Sequence, residues 1–476
     1  MTLDKKTYIH FAIMFLLTIV ISLCPPFGQI TSYGMKALGV FVGVLYGWIF
    51  IDLLWPSLFG FAALAIANIT PIGAALATGI GNFNLLMVLI VLLFAGALEE
   101  SGFADWVGVS LLRIKFFQKS PWSLIAGTLI VSYILGLLGA SMAAILLLWA
   151  TFTRIADLCN IPRKDPLISF LIFSAVTVST IAGCVLPFQA YAIVYLGFLD
   201  QAAPLNIPYN QFILFAGVVS ILTTIVLFLL AKFVFKLDAS RFALPEELVK
   251  EFDQKKINKK QKCALIITII YFAALLLPGF IPNVPGMKFL SSLNIIGITI
   301  IALLVMSFIK IDGEALIQLN KIFTKHVQWP LIMLLAVTFP IADALKSADS
   351  GIMVTVNQFI LPIVSNMGLI PFMIISMIML GSLTQVTHNI VLGAMFIPFL
   401  VPLCGQLGGN PIIMWFMLYF VLQSAFVTPA ASFQSAMIHG NQDMIKKDAY
   451  IWGIVFLIAI ILILTIVGIP LGNLIF

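Results

Sequence analysis

Charge is what this sequence has least of. Asp, Glu, Lys and Arg make up 9% of its 476 residues, against roughly 25% in an ordinary soluble domain. A water-soluble fold of this size covers its surface with polar side chains, and here there are too few. A soluble enzyme and a disordered scaffold are therefore excluded. Cysteine is also sparse: Cys24, Cys159, Cys184, Cys263 and Cys404 are dispersed, without a CxxC pair. That excludes a disulfide framework and argues against a zinc site. HExxH, GxSxG, Walker A and Rossmann signatures are missing too. Nothing therefore supports enzymatic or ATP-driven chemistry.

What the chain has in abundance is apolar residues, 62% of the total, with a mean hydropathy of +1.15. They form long continuous runs rather than the alternation of a barrel strand. The expected fold is an all-α polytopic membrane protein. The net charge of +6 is not a nucleic-acid signal, because nine of the 25 Lys and Arg fall within residues 232–262 and most others sit at segment ends. That is the positive-inside pattern of a multi-pass protein of the cell membrane, whose partner is the lipid bilayer.

Apolar length and charge place spans at 8–23, 35–52, 54–70, 83–99, 167–199, 208–231, 264–281, 293–309, 329–345, 411–438 and 451–474. The run 8–23 has no convincing small-residue cleavage site after it and reads as a retained helix. These spans set the N-terminus in the cytoplasm and the C-terminus outside. An amphipathic stretch carrying Arg113, Lys115 and Lys119 is expected along the interface, and the segment PEELVKEFDQKKINKKQK as a helix in the basic loop. Residues 121–153 are apolar with basic residues at both ends, so both ends belong on one side. A re-entrant hairpin satisfies this, turning at Gly136 and Gly139. A second hairpin is expected at 365–405, opening from the other side, since no Lys or Arg occurs from 347 to 445. The count is about eleven spans and two opposed hairpins.

The halves repeat. ALEESG at 97–102 matches ALKSADSG at 344–351, and Gly102 and Gly351 are 249 apart. The expected tips Gly139 and His388 are also 249 apart, and the proline breaks Pro187 and Pro429 are 242 apart. An odd number of crossings between counterparts makes the repeat inverted, the construction of secondary transporters. Two tips and two breaks would then wall one site.

The second tip concentrates Thr384, Thr387, His388 and Asn389 in an apolar segment. Carbonyls freed at an unwound tip can ligate a cation such as Na⁺. Helix N-termini present N–H groups to an anion. His388 has three readings: a substrate contact, a proton carrier, or a neutral packed ring. Pro429 removes a backbone donor and lets Thr428 face the cavity. The first tip offers Gly139, Ala140 and Ser141, and the first break Gly183, Cys184, Pro187 and Gln189. Glu99, Glu100, Asp105 and Asp343 lie at expected span ends, where interfacial solvation accounts for them.

Through TQVTHNIVLGAMFIPF (384–399), FVTPAASFQSAMIHG (426–440) and the order of elements, the chain resembles the divalent anion/sodium symporter family of the ion transporter superfamily. Of that family's Ser-Asn-Thr tip only Asn389 is shared, and of its first break only Pro187. The resemblance implies a transporter of di- or tricarboxylates or sulfate. No cofactor is implied, and Na⁺ is the coupling ion. Thr384, Thr387, Asn389 and the backbone near Val427 would form a Na⁺ site. A first Na⁺ site would use Gly139, Ala140 and Gly183. Substrate would meet Ser141, Pro187, Gln189, His388, Asn389, Thr428 and Pro429. It also implies a homodimer and an elevator motion. Residues 1–82 would hold the N-terminal and first scaffold helices, 208–328 further scaffold and 451–476 the last scaffold helix. Residues 83–207 and 329–450 would be the two halves of the transport domain. The competing readings are a cation/proton antiporter using His388 and a non-transport membrane scaffold or enzyme.

Overall fold

The computed structural model describes residues 5–103, 106–107, 110, 114–139, 142–203, 205–254 and 256–476. Arg113, Asp105, Ala140 and Ser141 lie outside the described residues. The first half runs α1 (Lys5–Leu23), α2 (Ser32–Phe50), α3 (Trp55–Ile66), α4 (Ile72–Ile80) and α5 (Phe83–Glu100), then α6 (Pro121–Leu137), α7 (Met142–Leu158), α8 (Pro166–Ala182), α9 (Ala190–Ala202) and α10 (Tyr209–Leu229). The polar helix α11 (Glu246–Gln254) joins the halves. The second half opens with α12 (Lys259–Phe280), α13 (Met287–Phe308), α14 (Leu319–Lys325), α15 (Trp329–Lys346) and α16 (Ile352–Met367). It continues with α17 (Leu369–Leu383), α18 (Asn389–Gln406), α19 (Pro411–Gln423), α20 (Phe433–Gly440), α21 (Lys446–Ile463) and α22 (Ile469–Ile475). Among the described residues the only strand pairing is Lys310–Ile311 against Glu314–Ala315.

Nine helices among the described residues are long and apolar enough to cross a bilayer. They are α1, α2, α5, α10 extended to Val234, α12, α13, α15, α18, and α21 continued through α22. Eight coincide with expected spans. The three other expected spans are interrupted. The run 54–70 is only the 12 residues of α3, because Asn68 turns left-handed and Pro71 follows. The runs 167–199 and 411–438 are each two helices around an unwound stretch, at 183–189 and 424–432. The ninth long helix, α18, is the second arm of the expected second hairpin, and at 18 residues it can cross alone. The span expected from 293 starts at a kink: Asn294 leaves helical geometry and its Oδ1 accepts from Ile296 N at 2.8 Å.

Two elements depart from expectation. The basic loop is not one helix through KKINKKQK. Asn258 starts α12 with a capping box, its Oδ1 accepting from Gln261 N at 2.8 Å, so Lys259, Lys260 and Lys262 belong to the first turn of α12. Lys259 and Lys260 then pair with Asp312 and Glu314, each at 2.8 Å. The hydrogen bond from Lys260 holds the Glu314 carboxyl below its ordinary value. The helix α16 was not marked by any charge, and it meets α17 at 111°.

The repeat is visible as reciprocal contacts. Gly102 and Gly351 both turn left-handed, at φ +68 and +67. The N-cap of α2, Thr31, donates to Asp349 O at 2.5 Å through Oγ1 and to Ser350 O at 3.0 Å through its N–H. In the other half, Gln261 in the first turn of α12 donates to Gly102 O at 3.1 Å. A helix near the start of each half therefore holds the glycine turn of the other, as a two-fold relation requires. The last long helix of each half also widens into a π-turn, at Leu230–Val234 and at Leu464–Gly468.

Helix α1 buries only Met14 and Thr18 and packs on α2 through Gly39, Gly43 and Gly47. A methyl group on Gly43 would fall 1.8 Å from Thr18 Oγ1. Small residues four apart let two backbones approach where no hydrophobic effect drives helices together. At the other extreme, α8 and α19, the first members of the two broken spans, are buried on nearly every side. A helix apolar all round belongs at the centre of a bundle, and these two counterparts sit there.

Candidate functional site

Both expected tips are breaks between helices, and neither lies inside a continuous rod. Gly139 follows the end of α6 at φ +65. A side chain there would collide with Gln189, whose Oε1 would lie 2.6 Å from a Cβ. Gln189 is the N-cap residue of α9, and its Nε2 donates to Leu137 O at 2.7 Å. The last carbonyls of a helix lack intrahelical partners, and Gln189 supplies one from the break. Pro187 is buried beside it, and Gly183 caps the C-terminus of α8. A cavity of about 20 Å³ lies here, lined by Gly139, Gln189, Phe188, Phe94 and Tyr271. It has room for about one water.

At the second tip, His388 is the N-cap of α18, its Nδ1 accepting from Ile390 N at 3.4 Å. Asn389 donates through Nδ2 to Gln423 Oε1 at 2.7 Å, and its Oδ1 accepts from Ile390 N at 2.9 Å. Thr384 Oγ1 donates to Leu422 O at 3.4 Å. Thr387 Oγ1 is buried without a hydrogen-bond partner. Thr428 donates to the carbonyl of Gln385, and Val427 O is bonded to His439 Nε2 at 2.9 Å. Pro429 and Ala430 are exposed at the break, as is Val386 at the tip, with 64% of its surface open.

The residue that holds this tip to its break is one the sequence reading passed over. Gln385 is 7% exposed. Its Oε1 accepts from Phe426 N at 3.2 Å and Val427 N at 3.0 Å. Its Nε2 donates to Gly381 O at 2.8 Å and Ser424 O at 3.1 Å. A primary amide has two donors and two acceptor lone pairs, and all four are used. Two N–H groups face one end and two carbonyls the other, so only one orientation of the amide fits. Gln423 was passed over as well. For Gln423 the available signal was a glutamine in a largely apolar segment, where a polar group must find a partner; Gln385 stood inside the polar cluster already flagged, with nothing in the sequence to set it apart.

Gly139 and His388 do not bond each other, but both tips are attached to α9. Gln189 at its N-cap holds the first tip, and Tyr195 donates to Asn389 O at 3.1 Å in the second. Six residues separate these attachments, about 9 Å along a helix axis. Tyr191, between them, accepts from Gln434 Nε2 of α20 at 3.3 Å. Trp415 of α19 donates to Tyr195 O at 2.8 Å. One helix of the first repeat thus carries bonds to the tip and both broken helices of the second. A second cleft, of about 870 Å³, is lined by Arg163, Lys164, His439, Asp443 and Lys446. His439 links its wall to Val427 O in the second break.

The carboxylates Glu99 and Glu100 are paired at the end of α5, with His326 at 3.2 Å and Lys321 at 2.8 Å. They take no part in either tip. Asp343 is exposed on α15.

Residues 37–418 match the family profile described as citrate transporter. The chain belongs to this citrate transporter family. The crystal structure of the Alcanivorax borkumensis YdaH transporter, which has an unusual topology, matches with a TM-score of 0.60 at 13% identity, over 99% of both chains. At that identity the likeness shows a shared fold. No functionally curated protein matches the sequence. Family and fold agree that this citrate transporter relative is a multi-pass membrane transporter and not an enzyme.

Proposed function

We propose that the protein is a secondary active transporter of di- or tricarboxylates, citrate foremost, and a divergent relative of the divalent anion/sodium symporters. The observation that carries this reading is the attachment of both tips to α9, through Gln189 and Tyr195. Two broken helices and two tips, tied to one element, give unwound backbone at membrane depth, where it is tolerated only in protein or beside a cavity. The exposed Pro429 and Ala430 would face substrate together with Thr428, and Ser141, Pro187, Gln189, His388 and Asn389 would complete the binding surface. The basic cleft with Arg163, Lys164 and Lys446 draws anions toward His439 and the second break. Its residues lie on the side that the charge pattern makes cytoplasmic.

In this reading α5 to α9 and α15 to α20 form the moving part, carried across the membrane as an elevator. The remaining helices form a scaffold that holds a homodimer. Transport is driven by a Na⁺ gradient, through Thr384, Thr387, Asn389 and Val427, or by exchange of one anion for another. The His388 ring favours the anion reading over proton antiport, because its Nδ1 lone pair is turned to a backbone N–H and caps a helix.

The test is uptake of labelled citrate, succinate and sulfate into proteoliposomes, with an ion gradient and with internal unlabelled anion. Citrate uptake that requires one of these drives supports the proposal. No flux of any anion under either drive overturns it.

A further inference from the structure

We infer that the start of α6 and the end of α10 form a headgroup site for an anionic phospholipid of the cytoplasmic leaflet, read by Lys119 and Lys232. The site itself needs only a membrane-spanning fold; its consequence for transport rests on the reading above.

The two helices meet at two levels. Among buried residues, the hydroxyls of Tyr133 and Ser220 bond at 2.6 Å. Nearer the helix ends, the ring of Trp122 packs edge-on to that of Phe228, with 5.6 Å between centres. Lys232 sits in the π-turn that follows α10, its Nζ 5.6 Å from the ring centre of Trp122 and 5.6 Å from that of Phe233. Lys119 precedes the N-cap of α6, and its Nζ lies 5.5 Å from the ring centre of Phe116. Among the described residues these are all the contacts of a cation with an aromatic face. Phe116 and Phe233 are themselves 61% and 62% exposed. Open rings that carry ammonium groups suit the headgroup level, where the ring meets acyl chain and the cation meets phosphate.

Among the described residues neither lysine is matched by a carboxylate, whereas Lys259, Lys260 and Lys321 are. Asp238, the first carboxylate after the π-turn, accepts instead from Ser240 N at 2.9 Å. Two cations over open rings, without an acid of the chain, fit a phosphodiester joined to acyl chains. A small soluble anion would gain nothing from the rings.

The inverted repeat supplies the comparison. The second half has the same π-turn at Leu464–Gly468, but its third residue is Ile466 where the first half has Lys232. At the offset of 249 that relates Gly139 to His388, Lys119 corresponds to Gly368. The backbone is repeated and the cations are not. They stand on the face that the charge pattern makes cytoplasmic, where anionic headgroups attract lysine. Topology alone asks for charge on that face, not for its seat over exposed rings. In the transport reading α10 belongs to the scaffold and α6 to the moving part, so a headgroup held by Lys119 and Lys232 spans the sliding boundary and sets the rate of the motion.

The experiment titrates the full-length protein in detergent with dioleoyl phosphatidylglycerol, dioleoyl phosphatidylcholine or inorganic phosphate. It reads bound lipid by native mass spectrometry and the thermal unfolding midpoint. Lys119→Gln with Lys232→Gln removes the proposed contacts, and Lys256→Gln with Lys262→Gln removes the same charge from the basic loop. Phosphatidylglycerol is expected to bind and to raise the midpoint of the unaltered protein, and the other two ligands are not. The Lys119/Lys232 variant should bind phosphatidylglycerol about tenfold more weakly. The basic-loop variant, and Lys232→Arg, which keeps both charge and ring contact, should bind it as the unaltered protein does. Equal binding of the two lipids, or equal weakening in the basic-loop variant, overturns the site in favour of diffuse charge. A midpoint raised as far by inorganic phosphate overturns the lipid as its ligand. Should the double variant not fold, Lys119→Gln alone decides, and unchanged binding by it overturns the inference. Citrate flux equal in liposomes with and without phosphatidylglycerol overturns the consequence for transport. No flux in either would instead defeat the transport reading and leave the binding result standing.

Discussion

The hydroxyl of Tyr195 donates to the main-chain carbonyl of Asn389 at 3.1 Å, and this bond joins the first repeat to the tip of the second. Tyr195 is fully buried, its ring tilted against that of Tyr419 at 4.9 Å between ring centres, and its own carbonyl accepts from Trp415 Nε1. Tyr195→Phe keeps the ring and removes only the donor. A buried hydrogen bond contributes about 1 kcal/mol net. The expected outcome is a folded protein whose unfolding midpoint is modestly lower and whose citrate flux is reduced, because the tip is no longer fixed to α9. Flux and midpoint identical to the unaltered protein would show that the two halves are held by other contacts.

Gly102 and Gly351 share a backbone conformation but not a neighbourhood. A Cβ on Gly351 would lie 1.7 Å from Gln29 O, a main-chain atom. On Gly102 the nearest atom would be Gln261 Nε2 at 3.6 Å, ordinary contact. Both alanines suffer the left-handed strain of roughly 1 kcal/mol. Only Gly351→Ala adds a clash with backbone. It should be lost from the membrane fraction, while Gly102→Ala is recovered folded. Size-exclusion profiles of the two variants, extracted in parallel, make the comparison.

The cleft near the second break is lined by three cations, and among the described residues neither Lys164 nor Lys446 is paired with a carboxylate. Arg163, by contrast, pairs with Asp157 at 2.9 Å. If the cleft draws anions by its field, Lys164→Glu with Lys446→Glu should raise the apparent KM for citrate several-fold at low salt. The difference should shrink as ionic strength rises, since the Debye length falls to about 8 Å at 0.15 M. A KM change independent of salt would mean direct contact or misfolding instead of steering.

The sequence alone made the helices, the repeat and the two breaks legible for physical reasons. Apolar runs of span length have few alternatives, and proline and glycine punctuate them at fixed offsets, as Gly102 and Gly351 confirm. What escaped was amphipathic or local. The helix α16 sits in a segment without Lys or Arg, so charge could not mark it. The run at 54–70 looked continuous because hydropathy does not register the left-handed turn at Asn68. At the site, the residues flagged for polarity are largely engaged with the protein itself: His388 as a cap, Asn389 with Gln423, Thr428 with Gln385. Gln385, the best-connected of them, was invisible because its importance lies in four partners, three of them about forty residues away in sequence. The seam of Gly39, Gly43 and Gly47 was passed over in the sequence, although its four-residue spacing is plain there.

The most direct test of the account is substrate protection at the second tip. Val386 is exposed there, two residues before His388. In a variant with the five native cysteines replaced by serine, Val386→Cys is reacted with a maleimide in proteoliposomes, with and without citrate. The account predicts that citrate slows the reaction several-fold and that an anion which is not transported leaves the rate unchanged. A rate indifferent to citrate, in a variant that still transports it, would contradict the placement of the substrate site between the two tips.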